Sequence, residues 1–77
     1  MEKLDDKLKN VMSVVFDLKK EQINNNSSPD NIEGWDSLKH MILIGAIEDE
    51  FKIQFSDEEM LELLNYELIR IVLKEKL

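Results

Sequence analysis

Apolar residues recur along this chain at helical spacing in several separate blocks. In residues 3–20, Leu4, Leu8, Val11, Val15 and Leu18 stand three or four apart, and Met12 and Phe16 widen the same stripe. Lysines and acids fill the other positions, the pattern of an amphipathic helix with one buried face. The period breaks over residues 24–36, where Asn24, Asn25, Asn26, Ser27, Ser28, Pro29 and Asp30 predict a long loop. Its large apolar residues, Ile32 and Trp35, are expected to pin it to the core. A second helix is predicted from Asp36, a good N-cap residue, to about Phe51. There Met41, Leu43, Ile44, Ile47 and Phe51 share one broad face, with Ile42 and Gly45 opposite.

Lys52 to Phe55 reads as a short extended connector. Ser56 followed by Glu59 is a capping-box signature that opens a short helix through about Leu63. Asn65 is expected to cap a last helix over residues 66–76, with Leu64, Leu68, Ile71 and Val72 facing inward. The fold class is therefore all-α: a small four-helix bundle with three longer helices, one short third helix and a long first loop.

With 77 residues, one small domain covering residues 1–77 is expected, and its core must be well patterned to be stable. The chain has no cysteine and one histidine. Disulfides, thiolate chemistry from the protein's own side chains and a structural zinc site are thereby excluded. No apolar run approaches the roughly 20 residues of a membrane span, and no signal-peptide pattern stands at the N-terminus, so a soluble, cytoplasmic chain is expected.

The formal net charge is −7, and it is unevenly placed. Residues 1–22 and 60–77 each balance acids against bases. The excess lies between them, in Asp30, Glu33, Asp36 and the acids of residues 48–59. Such a middle repels nucleic-acid phosphate and speeds encounter with a basic protein surface. Its simplest effect is solubility.

The densest chemical signal is Gly34-Trp35-Asp36-Ser37-Leu38, where the long loop enters the second helix. A first-turn serine presents an exposed hydroxyl among unsatisfied backbone N–H groups, where the helix dipole favours an anion. On its own the pentapeptide reads first as a helix cap. The wider sequence adds Glu48, Asp49, Glu50 and Phe51, then Ile53-Gln54-Phe55 and the acidic start of the short helix. Together with chain length, the long loop and the Asp-Ser-Leu triplet, this resembles an acyl carrier protein along nearly the whole chain.

The resemblance implies a carrier and not a catalyst. Ser37 would accept 4′-phosphopantetheine from coenzyme A through a magnesium-dependent phosphopantetheinyl transferase, and Asp36 and Leu38 would be read by that enzyme. The arm's thiol would hold intermediates as thioesters, which suits a chain without cysteine. Further partners implied are acyl- or aminoacyl-loading and acyl-transfer enzymes, with the chain itself expected to be a monomer. Met41, Ile44, Ile47, Met60 and Leu64 are candidates for sheltering a carried group between helices, although plain core packing is the simpler account of each.

The pattern also departs from housekeeping fatty-acid carriers. Lys39 and His40 follow the triplet where acids or small polar residues are usual, and Ile42 replaces a common second acid. Trp35 before Asp-Ser resembles carriers of specialised pathways and of aminoacyl or peptidyl groups. A dedicated carrier in a secondary or envelope-related route is therefore expected, with Lys39, His40, Ile42, Glu48 and Asp49 as candidate partner contacts. His40, one turn beyond Ser37, is expected either to touch the attached group or to lie inert on the surface. A serine hydrolase is excluded by the missing Gly-x-Ser-x-Gly elbow and the small size. A calcium-binding hand fails for want of the loop spacing. The standing alternative is an unmodified acidic helical adaptor that binds a protein through the second helix.

Overall fold

The computed structural model describes residues 2–77. Four α-helices are present among them: α1 (Glu2–Phe16), α2 (Ser37–Phe51), α3 (Asp57–Glu62) and α4 (Tyr66–Lys76). A single 3-10 turn, Lys20–Gln22, interrupts the first connection. No strand occurs in the described residues, and the all-helical bundle expected from the sequence is the observed fold. The Cα radius of gyration is 11.1 Å.

The three predicted caps are all made. Asp36, Ser56 and Asn65 each sit in extended backbone, and their side chains accept from the amides of Lys39, Glu59 and Leu68. The Ser56 cap is reciprocal, because Glu59 Oε1 accepts from the Ser56 amide at 2.9 Å. That amide, and then the Lys76 ammonium 3.0 Å away, hold the Glu59 carboxyl below its ordinary value.

Helix α1 is shorter than predicted. It stops at Phe16 because Asp17 turns into the left-handed region (φ 56°) and the Leu18 amide reaches back to the Ser13 carbonyl at 3.0 Å. This is a Schellman closure. Leu18 packs on the core from outside the helix. Helix α2 closes the same way, with Lys52 left-handed (φ 58°) and the Ile53 amide bonded to Glu48 O at 3.2 Å.

The core is formed by α1, α2 and α4, with α1 packed on both of the others. Leu8, Met12, Leu43, Ile47, Ile69 and Leu73 have no exposed surface. The inward face of α4 differs from the expected one: Tyr66, Ile69 and Leu73 are buried, Val72 is partly buried, and Leu64, Leu68 and Ile71 are exposed. The Tyr66 ring sets this phase. It is buried at the first position of α4, with its hydroxyl donating to Asp5 Oδ1 at 3.2 Å, and residues three and seven further on follow it inward. Burial, and then the Asp5 charge, push the phenol well above its ordinary range. Met41 is likewise exposed and not on the core face of α2, which buries Leu43, Ile44, Ile47 and Phe51.

The loop of residues 24–36 is ordered by its own polar side chains. Ser27 is buried, its Oγ accepts from the Asn24 amide at 2.9 Å, and its carbonyl accepts from the Tyr66 amide at 2.9 Å. Ile32 and Trp35 are buried as expected and anchor the far end of the loop. No helix of the described residues is long and apolar enough to cross a membrane.

Candidate functional site

The loop delivers the chain to α2 through two backbone devices. Gly34 adopts φ 91°, a conformation that a side chain opposes, and its carbonyl accepts from the Asp36 amide at 3.0 Å. Trp35 then turns inward and lies against Phe16, with ring centroids 5.1 Å apart at 38°. With Trp35 anchored, Asp36 and Ser37 are held at the surface.

Asp36 is the N-cap. Its Oδ1 accepts from the Lys39 amide at 2.8 Å and its carbonyl from the His40 amide at 2.8 Å. The carboxylate is thereby turned into the helix end. Ser37, the next residue, is exposed, and its hydroxyl makes no hydrogen bond among the described residues. As the first residues of α2, Ser37 and Leu38 have amides without an intrahelical acceptor. A free hydroxyl therefore stands beside free N–H donors at the positive end of a 15-residue helix. Leu38 is 69% exposed.

A groove of about 480 Å³ opens beside Ser37, lined by Pro29, Trp35, Asp36, Ser37, His40, Met41, Met60, Leu61 and Leu64. It accounts for three exposed apolar side chains. Met41, Leu61 and Leu64 point away from the bundle core and form the apolar lining of this groove. Of the residues expected to shelter a carried group, Met41, Met60 and Leu64 line it, whereas Ile44 and Ile47 are core residues.

The candidate partner contacts fall into two sets. Ile42 is half-exposed and Asp49 exposed. Lys39, His40 and Glu48 are engaged inside the molecule. Lys39 Nζ donates to Val15 O at 3.0 Å, placing a cation on the carbonyl end of α1. Glu48 Oε2 accepts from the Phe55 amide at 2.8 Å and fixes the connector after α2. His40 is half-buried, not inert on the surface: its ring is bonded on both sides, to Trp35 and to the Met60 carbonyl. Sequence spacing hints at the first contact, five residues away. The second joins residues 20 apart and is visible only in the fold.

Comparison with known proteins supplies an independent line. The family described as "Phosphopantetheine attachment site" matches residues 6–69, a span that contains Ser37 and the whole groove. The acyl carrier protein of Buchnera aphidicola subsp. Acyrthosiphon pisum (strain Tuc7) is 39% identical over 59 residues, covering 77% of this chain and 74% of its own. That of Buchnera aphidicola subsp. Schizaphis graminum (strain Sg) is 41% identical over 59 residues, covering 77% and 75%. The residues present fit a phosphopantetheine: a solvent-facing hydroxyl, two unpaired amides for a phosphodiester, and an apolar groove at the same helix end. The chain belongs to the acyl carrier proteins, whose members carry groups on phosphopantetheine and are not themselves catalysts.

Proposed function

We propose that this chain is a dedicated acyl or aminoacyl carrier whose phosphopantetheine is attached to Ser37. The observation that carries the reading is the exposed, unbonded Ser37 hydroxyl at the start of α2, inside the matched span. The bound arm would supply a terminal thiol on which intermediates are held as thioesters. The chain's own residues do the positioning. Asp36 caps α2 through the Lys39 amide, Gly34 and Trp35 set the angle of the loop, and the Ser37 and Leu38 amides would be available to hold the phosphodiester. The Met41–Met60–Leu61–Leu64 groove offers the nearest apolar cover for a carried chain.

The same geometry supports a specialised route over the housekeeping one. Leu38, Met41, Ile42 and Leu61 are exposed around the attachment point, while Lys39 is drawn back onto α1 and Glu48 is used internally. The first half of α2 therefore offers partners an apolar surface, with Asp49 the free acid further along. Specificity then rests on apolar fit more than on charge steering. The chain acts as one cytoplasmic carrier domain over residues 1–77, a monomer that meets its transferase, its loading enzyme and the enzyme that accepts the cargo in turn.

Proteolytic fragment mapping of the modified protein is expected to place the phosphopantetheine on the peptide containing Ser37. Fatty-acid synthase components are expected to elongate chains on this carrier far more slowly than on their usual one. Equal rates would overturn the specialised assignment. An unmodifiable chain whose Ser37→Ala variant retains partner binding would instead be an adaptor using α2.

A further inference from the structure

His40 stands at the meeting of three parts of the molecule. The Trp35 indole Nε1–H lies 3.1 Å from His40 Nδ1, with the two rings stacked at 21° and centroids 6.2 Å apart. On the other side, His40 Nε2 lies 2.8 Å from Met60 O. An indole N–H only donates and a carbonyl only accepts. Nδ1 must therefore be the acceptor and Nε2 must carry the proton, so both contacts form together only in the neutral imidazole with its hydrogen on Nε2.

Of the two groups the imidazole joins, Trp35 is also packed on Phe16 in the core, whereas α3 meets the core only through the partly buried Met60. Helix α3 is six residues long and contains no buried residue. Its C-terminal carbonyls lack intrahelical donors, and His40 supplies one of them from another helix. Trp35, His40 and Met60 all line the groove beside Ser37, and His40 is bonded to the other two. The charged groups around the ring have partners of their own or face solvent. Asp36 accepts the Lys39 amide and Lys39 Nζ donates to Val15 O. Glu59 is held by Ser56 and Lys76, and Asp57, Glu58 and Glu62 on α3 are exposed, as is Asp17 at the end of α1. His40 makes no ion pair among the described residues.

We infer that neutral His40 is a positioning residue that latches the Trp35 loop to α3 and so sets the width of the groove beside Ser37, and that its protonation releases the loop side alone. A proton on Nδ1 would face the indole N–H, donor against donor, and that bond is lost. The Nε2–H to Met60 bond is strengthened by the charge, because a cation at a helix C-terminus is favourable. Acid therefore removes the polar tie on Trp35, whose ring stays packed on Phe16, while α3 stays tied. The latch is a property of the fold and holds whether or not Ser37 carries an arm.

The chain has one tryptophan and one histidine, so each end can be read without ambiguity by NMR on the unmodified, ¹⁵N-labelled protein. The His40 ring nitrogens are expected to report the Nε2–H tautomer near pH 8. Between about pH 8 and about pH 5, where imidazoles change charge, indole protection relative to a free indole is expected to fall about tenfold, the size of one hydrogen bond. Its midpoint should coincide with that of the imidazole. His40→Gln, which keeps a donor and an acceptor but does not titrate, is expected to make the protection independent of pH over that range. A proton on Nδ1, or indole protection in the wild type that ignores the imidazole titration, would overturn the inference. So would a pH response that persists in a folded His40→Gln chain. Should that variant fail to fold, the tautomer and the matched midpoints in the wild type decide.

Discussion

On α1, α2 and α4 the bundle is closed by side chains with no exposure, Leu8, Leu43, Ile47, Ile69 and Leu73 among them, whereas α3 buries none of its six residues. The α3 corner is held by the partly buried Met60 and the buried Leu63 that follows the helix, and by its capping box, Lys76 on Glu59 and the His40 bond to Met60 O. Burial contributes stability over large areas and without direction. A few hydrogen bonds contribute less, and each opens singly. The apolar groove beside Ser37 lies against the second kind of structure. The three-helix side thus carries most of the apolar burial, and the wall beside the groove depends more on polar contacts.

Truncations should show the contrast most strongly. Leu8→Ala removes a fully buried side chain and is expected to destabilise the protein by about 3 kcal/mol in denaturant unfolding. Leu61→Ala, on α3 and 73% exposed, is expected to cost less than about 0.5 kcal/mol. Equal costs would erase the distinction between the two sides.

Tyr66 tests the three-helix side by pH. Its folded phenol titrates above the unfolded one, because burial and then Asp5 disfavour the anion. The associated stability is fully present below the ordinary tyrosine range and is lost as pH rises toward the folded value. Absorbance titration of this single tyrosine is expected to show no phenolate until the chain unfolds in alkali.

The α3 corner should respond at the other end of the scale. Ser56→Ala removes the cap and is expected to cost about 1 kcal/mol, with amide protection lost first at residues 57–63. Glu59 is held low by the Ser56 amide and then by Lys76. Its contribution is present above the ordinary glutamate range and is lost as pH falls through the lowered value. Glu59→Gln, which keeps the reciprocal cap but not the charge, is expected to flatten the acid dependence of α3 protection.

The smallest effect concerns the helix ends. Lys52 is exposed and left-handed, a conformation that costs a side chain about 1 kcal/mol. Part of that gain is offset by glycine's greater chain freedom, so Lys52→Gly is expected to stabilise by about 0.5 kcal/mol in the same unfolding measurement.

Those ends also show where sequence reading stops. Helix starts were legible because Asp36, Ser56 and Asn65 are capping residues whose chemistry is local. The stop of α1 was not, because Asp17 takes a left-handed turn that usually announces itself with glycine, so the apolar stripe ran on to Leu18. The phase of α4 is not legible in the sequence, because Leu64, Leu68 and Ile71 are as apolar as a core face and only the seating of Tyr66 against Asp5 decides between two stripes. At the site, Asp36-Ser37-Leu38 is legible locally as a helix start bearing a serine, and only the resemblance along the whole chain gives it the reading of an attachment triplet. The roles of Lys39, His40 and Glu48 did not, since each depends on a backbone atom brought near by folding: Val15 O, Met60 O and the Phe55 amide.

The most direct test of the carrier assignment is the intact mass of folded, initially unmodified protein after incubation with coenzyme A, magnesium and a broad-specificity phosphopantetheinyl transferase. The wild type is expected to gain one phosphopantetheine, and Ser37→Ala none. A gain on Ser37→Ala would contradict the attachment site, and no gain on the wild type under conditions that modify a known carrier would contradict the carrier account itself.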